Sequence, residues 1–334
     1  MSGPQRARLP GGHPPNGHGL GDHPPNGHGL DDHGPNGHGP EERWHWQHGP
    51  IDLVIGASGD SAAVAAAQAA AWDHFQGLLA GLVSELALLR QPVAAGRVAN
   101  PLRGAVARSM WAACAPLRDA AQGFITPMAA VAGAVAQALI AHYQRPGIQR
   151  AWVNNGGDIA LHLAPAAWVR VGLFADLARL DADVLASMAT AALPTDAAFT
   201  VHAGQAVRGV ATSGWRGRSH SRGIADSVTV LAPTAAMADA AATVIANRVD
   251  VEHPGIVRCP ARLLRDDSDL GDILVTLQVA PLPPYQVQAA LQQGLACARQ
   301  LQQAGLVSSA LLVCQGSRLR LPAIESLECA LTPA

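Results

Sequence analysis

Aromatic side chains are nearly missing from this chain. Phe, Trp and Tyr together make up 4% of 334 residues, with two tyrosines in all. A core with so few rings must be filled by small aliphatic groups, so its elements are expected to pack at close range. Charge is also sparse, at 14% of residues with a formal net charge of −2. No basic stripe is present, which argues against nucleic acid as a partner. Cysteine is limited to Cys114, Cys259, Cys297, Cys314 and Cys329, an odd number with no CxxC spacing. That excludes a disulfide framework or a zinc ribbon and points to reduced thiols in the cytoplasm. No strongly apolar run reaches the roughly 20 residues of a spanning helix, so no membrane partner is expected. The opening MSGPQRARLPGGH has no apolar stretch of the kind a secretory signal needs. A P-loop is lacking, as is a GxGxxG at a strand–helix turn, which removes two phosphate-binding fingerprints.

Glycine, proline and histidine are concentrated near the start. Residues 11–40 repeat a ten-residue unit, GGHPPNGHGL, GDHPPNGHGL, DDHGPNGHGP, with His13, His18, His23, His28, His33 and His38 five residues apart. Gly and Pro oppose regular structure, so residues 1–48 are expected to form a disordered tail ahead of a folded body at 49–334. The imidazoles could loosely hold Zn²⁺, Ni²⁺ or Cu²⁺. The plainer alternative is a soluble low-complexity arm with no ligand.

Within the body, Pro50–Ile55 predicts a strand, and Ser58-Gly59-Asp60-Ser61 opens a helical run to about Arg90 with Ser or Asp as N-cap. A linker over 91–101, a helix over 103–117 and a helix from Thr126-Pro127 to Tyr143 follow. Strands are predicted at 150–155, 158–163 and 167–174, with weaker signals at 198–203, 207–212 and 226–232. A helix at 234–247 comes next, then an irregular acidic stretch over 250–270. A strand (ILVTLQVA), a helix over 284–304 and strands at 306–314 and 317–322 complete the pattern. Helices and strands mix without a βαβ beat, which predicts an α+β fold.

Three stretches carry candidate chemistry. Asp239 and Thr243 lie four residues apart, so a helix stacks a carboxylate and a hydroxyl on one face. Those are two hard oxygen donors, as Mg²⁺ requires. The competing assignment is an Asp capping a neighbour and a Thr bonded to its own helix. Asn155-Gly156-Gly157-Asp158 is a tight-turn signal whose glycines let backbone approach a ligand, or else a plain hairpin. Gly209 to Gly223 combines Thr212, Ser213 and Gly214 with Arg216, Arg218, His220 and Arg222, a set suited to an anion or to a charged surface loop. A hydrolytic triad from Ser219 or Ser221, His220 and Asp226 is disfavoured, because no GxSxG elbow is present. His74, His142, His162, His202 and His253 have no metal spacing and are assigned to structure or surface.

NNGGDIALHL, GVATSG and SVTVLAPTAAMADAAATVIAN, in this order, together resemble the ApbE superfamily of flavin transferases, and more closely its UPF0280 branch. GPIDLVI, TPMAAVAGAVA and GRSHSRGIADSVTV fit that branch. The resemblance covers about residues 49–330. It implies an α+β body of two related sheet-plus-helix halves. It also implies FAD held with Mg²⁺ and FMN passed to a Thr or Ser hydroxyl of a target protein. It places metal binding on Asp239 and Thr243, and catalysis on Asp239 and His220. Flavin contact then falls on Asn155, Gly156, Gly157, Asp158, Thr212, Ser213 and Gly214, with Arg216 and Arg218 nearby. A homodimer is compatible with this picture. The arginine-rich loop also suits a different anionic cofactor or metabolite, such as a pterin or nucleotide. A third alternative is a non-enzymatic metal-binding protein built around the histidine tail.

Overall fold

The computed structural model describes residues 3–9, 41–96, 98–173, 197–217, 220–266, 268–322 and 329–331. The chain divides into two compact units: residues 1–80, 135–206 and 325–334 in one, residues 81–134 and 207–324 in the other.

In the first unit, strands Gln5–Leu9, Glu42–His48, Ile51–Gly59, Ile148–Asn155 and Asp158–Leu163 lie side by side in that order, each antiparallel to the next. The register follows the two-residue period of the side chains. Trp44 faces Ile55 and Trp46 faces Leu53 across one pair of strands, and Ile55 faces Val153 across the next. All of these are buried. The helix Ser61–Ser84 covers this layer with Val64, Ala67, Ala71, Phe75 and Leu78, at spacings of three and four. Asp60 is its N-cap, accepting the Ala63 amide at 2.9 Å. The few rings cluster here: Trp46 lies 5.1 Å from Trp72 and 5.4 Å from Phe75 between ring centres. A second sheet pairs Trp168–Leu173 with Ala197–His202, and the latter with Cys329–Leu331.

The sheet therefore begins before the expected body. Glu42–His48 is a strand with a fully buried Trp46 inside the stretch assigned to the tail, and Gln5–Leu9 pairs with it. Gly and Pro density ends at residue 40, and WHW supplies the alternating apolar face a strand needs. The repeat over 11–40 lies outside the described residues.

The second unit carries strands Gly209–Ser213, Ser227–Ala232, Ser309–Cys314 and Ser317–Leu321, again antiparallel neighbours in that order. The helix Ala235–Arg248 lies on the first two of these strands and against helices Pro284–Gln303 and Ala105–Cys114. Ala235, Ala236, Ala238, Ala240, Ala241, Ala242 and Ala246 are all buried. Small residues let backbones nearly touch: a Cβ on Gly209 would stand 2.3 Å from the Thr234 carbonyl oxygen. The stretch over 250–270, expected to be irregular, contains the strand Ile256–Pro260, paired with Leu274–Val279. Its alternation is hidden by Arg258 and Pro260. The helix expected over 126–143 opens as a 3₁₀ turn at Pro127–Ala130, runs as α-helix over Val131–Ile140, and ends in a 3₁₀ turn at Ala141–Tyr143. Strands and helices are thus mixed without a βαβ repeat, as an α+β fold requires.

Candidate functional site

The helix Ala235–Arg248 is apolar on nearly every side except for Asp239, Thr243 and Asn247. These three share one stripe at four-residue intervals, each half-buried. Thr234 caps the helix by accepting the Met237 amide at 3.3 Å. Alanines on the remaining faces bring the stripe close to whatever packs beside it.

Asp239 Oδ2 accepts the Gly133 amide at 2.9 Å, and the Ala132 amide also bonds this carboxylate. Both amides belong to the first turn of Val131–Ile140, where backbone donors lack helical partners. Contact this close requires glycine at 133. A Cβ there would meet the Ala235 carbonyl oxygen at 2.2 Å and Asp239 Cβ at 2.9 Å. Burial outweighs the two amides and raises the Asp239 carboxyl to about 7. The capping role weighed against metal binding is therefore present. Thr243, one turn on, makes no hydrogen bond to a described residue, so the bond to its own helix expected of a structural Thr is missing.

Asn247 ends the stripe by holding the segment after His220. Its Oδ1 accepts the Ser221 hydroxyl at 3.1 Å and the Arg222 amide at 2.8 Å. Thr276 reinforces the same segment, donating its hydroxyl to the Gly223 carbonyl at 2.8 Å. His220 is left with a buried Nε2 that has no partner among the described residues. Burial, then the charge of Arg265, holds its pKa below the usual imidazole value, with Asp269 opposing. Asp269 accepts the hydroxyl of the buried Thr126, directly before Pro127. The thiol of Cys114 is pushed well up by burial and by the charges of Asp239 and Asp269. Asp239, Asp269 and the start of the 127–140 segment thus surround Cys114 and Thr126.

The strand end at 212–214 is engaged within the sheet. Thr212 Oγ1 lies 2.7 Å from Thr229 Oγ1, and Gly214 is required because a Cβ would meet the Asp226 carbonyl oxygen at 2.3 Å. Ser213 is half-buried at the strand end. Asp226 acts as an organiser here. Its Oδ1 accepts Trp215 Nε1 at 3.2 Å and lies 3.7 Å from Arg216 Nε, while its Oδ2 accepts the Gln315 amide. Arg216 also lies over the Trp215 ring, 5.0 Å from its centre. Its guanidinium thus faces both the Asp226 carboxylate and the Trp215 ring while staying half-exposed. Arg218 and Ser219 lie outside the described residues. A Ser221–His220–Asp226 triad is not assembled, since Ser221 and Asp226 spend their oxygens elsewhere and His220 Nε2 bonds to neither.

The Asn155–Asp158 turn belongs to the first unit and is a two-residue hairpin. Gly156 and Gly157 have φ of 64° and 111°, Asn155 pairs with Asp158, and the Gly157 amide donates to Asn154 Oδ1 at 2.8 Å. Asn155 and Asp158 are buried.

Among the described residues no three His, Cys, Asp or Glu side chains converge on a metal position. The donors in the second unit that fit a hard cation are the Asp239 carboxylate and the unspent Thr243 hydroxyl. Such a pair suits Mg²⁺, which keeps several waters and takes phosphate oxygens for the rest of its shell. Thr126, Asn247 and Asp269 were not foreseen as site residues. Asn247 could have been found by extending the four-residue stripe one more turn. Asp269 sits in the acidic run RDDSDLGD, 143 residues from Thr126, and no local pattern links the two.

The family described as AbpE bacteria matches this chain over residues 36–321. The UPF0280 protein of Methanoculleus marisnigri is 36% identical over 141 residues, covering 42% of this chain and 52% of that protein. The UPF0280 protein of Methanothermobacter thermautotrophicus is 40% identical over 124 residues, covering 37% and 42%. The chain thus spans about half the length of the curated relatives it matches. Among solved structures, the Flavin Transferase ApbE from Vibrio cholerae aligns with 84% of this chain and 96% of its own, at 12% identity and a TM-score of 0.44. No helix among the described residues is long and apolar enough to cross a membrane.

Proposed function

The chain belongs to the AbpE bacteria family, and from that premise we propose that it binds a phosphorylated cofactor, FAD first, together with Mg²⁺, and transfers its FMN part to a hydroxyl of a target protein. The observation that carries this reading is the polar stripe on the alanine helix. Asp239 and Thr243 present two hard oxygens there, and Thr243 has no partner among the described residues.

Asp239 and Thr243 would hold the cation. Once bound, Mg²⁺ supplies neutralisation of pyrophosphate oxygens as the P–O bond breaks. His220 is the proton acceptor. Its Nε2 is unpartnered among the described residues, and burial with Arg265 keeps the ring neutral near pH 7. The target hydroxyl oxygen attacks the phosphorus next to the riboflavin side, its proton passes to His220, and AMP leaves with the bonding pair. Asn247 and Thr276 hold the segment that carries His220, so the imidazole is positioned before substrate arrives. Within the second unit the Thr212–Gly214 turn would offer flavin its backbone, since Gly214 leaves no room for a Cβ.

A different anionic metabolite held by the arginine loop is less well supported, because Arg216 is paired with Asp226. The test is incubation of the full chain with FAD and Mg²⁺, following retained flavin and released AMP. Retention that depends on Mg²⁺ and on Asp239 supports the proposal. Absence of both binding and turnover of FAD would remove the flavin from it.

A further inference from the structure

Two histidines that the sequence separates by 68 positions meet in the first unit. His74 is on the helix Ser61–Ser84 and His142 is in the 3₁₀ turn Ala141–Tyr143. His74 Nδ1 lies 3.0 Å from His142 Nε2, with ring centres 5.2 Å apart and planes at 71°. Both rings are half-buried, and neither has a further hydrogen-bond partner among the described residues. The scaffold beneath them is fixed. The neighbouring Tyr143 is fully buried and donates its hydroxyl to Gln68, on the same helix as His74. The next position of that helix packs Phe75 into the Trp46–Trp72 cluster.

We propose that His74 and His142 form a two-imidazole seat for a borderline transition-metal ion of the Zn²⁺ or Ni²⁺ class, with water completing the shell. Imidazole nitrogens bind such ions at about 2.0–2.1 Å, which puts two of them about 3.3 Å apart on a tetrahedral centre. The observed nitrogens need to separate by only a few tenths of an ångström, with a tilt that turns both lone pairs toward one point. Metal binding takes neutral imidazole, and burial together with His74 and Arg145 keeps His142 neutral. The Arg145 charge disfavours cations in general, so the seat selects for nitrogen affinity and not for hard cations such as Mg²⁺. The seat uses none of the residues of the flavin proposal and is independent of it.

The experiment is thermal unfolding of the full chain during Zn²⁺ titration, because an ion bridging two folded segments raises the midpoint. Two comparisons separate the seat from the histidine repeat. In one, His13, His18, His23, His28, His33 and His38 are changed to Asn. In the other, His74→Ala and His142→Ala are made singly. The repeat variant is expected to keep a saturable upward shift, and both single variants to lose it. A shift of equal size in His74→Ala, or one lost only with the repeat, overturns the proposal. Should either single variant fail to fold, imidazole NMR of the unsubstituted chain decides. Zn²⁺ is expected to move the His74 and His142 signals together, and unmoved signals for both would refute the seat.

Discussion

Replacing Asp239 with Asn should stabilise this protein at alkaline pH, although it removes a charge that accepts two backbone amides. The reason is the cost of ionising a carboxyl that packing withdraws from water although the residue as a whole is half-buried. In the folded state it titrates at about 7, against 3.8 for an ordinary aspartate. Below the lower value both states hold the proton and no penalty exists. Between the two the unfolded chain has ionised while the folded one has not, so stability falls as pH rises, by roughly 1.4 kcal/mol per unit. Above 7 the penalty is complete, with an upper bound of about 4 kcal/mol for this three-unit interval. The Gly133 and Ala132 amides recover part of it. The substituted carboxamide keeps a carbonyl to accept those amides but has nothing to titrate. Urea unfolding of Asp239→Asn and the parent chain should therefore agree at about pH 3.5 and diverge by about 1–4 kcal/mol at pH 8 in favour of the variant. Saturating Mg²⁺ should reverse the order at pH 8, since only the carboxylate can bind it. A variant less stable than the parent at both pH values, without Mg²⁺, would refute the reasoning. It would mean that the carboxylate is anchored in ionised form.

Gly133→Ala forces a Cβ against the Ala235 carbonyl oxygen at 2.2 Å and should lower the stability read from urea unfolding by about 1–3 kcal/mol; Gly77→Ala, in open space on an exposed helix face, should instead gain about 0.5–1 kcal/mol. Thr243→Val removes a hydroxyl without a partner among the described residues, so stability should stay within about 0.5 kcal/mol, while Mg²⁺-dependent flavin retention falls and Thr243→Ser preserves it. The hydrogen bond to Asp52 raises the His45 pKa, so this pair adds stability below the free imidazole value that disappears as pH rises through the raised one. Histidine NMR of Asp52→Asn should show His45 titrating at lower pH than in the parent. Thiol alkylation of the native protein at about pH 7.5 should reach Cys259 before Cys297 or Cys314. Burial pushes the last two to about 11 and about 12.

Sequence periodicity located most elements because it follows from local chemistry. The Ser227–Ala232 strand, the helix Ala235–Arg248 with its Thr234 cap, and the Asn155–Asp158 hairpin each carry their cause within a few residues. What stayed hidden depends on partners far along the chain. Trp46 is in a strand because Leu53 and Trp72 cover it, and it follows closely on a repeat whose composition opposes structure. The Thr126–Asp269 and His74–His142 pairs join residues separated by 143 and 68 positions, and no spacing rule relates them. The surroundings of Arg216 were hidden in the same way. Composition cannot show that Asp226, ten residues on, lies 3.7 Å from its Nε and also bonds Trp215 and the Gln315 amide.

The lack of aromatic residues and the presence of a polar stripe in the core have one physical origin. The distance between packed helices depends on the side chains at the contact, and Leu or Phe in place of these alanines would hold the Asp239 carboxylate back from the amides on the next element. Alanine and glycine let Val131–Ile140 approach until its first-turn amides meet Asp239, and let the 221–223 segment lie against Asn247. Two of the three stripe residues are spent on this approach, which fixes the helix in register against both neighbours. The middle residue is then held in a rigid setting that it does nothing to create. In this stripe the Thr243 hydroxyl is the group that bonds to nothing among the described residues, and the proposed Mg²⁺ is what would engage it.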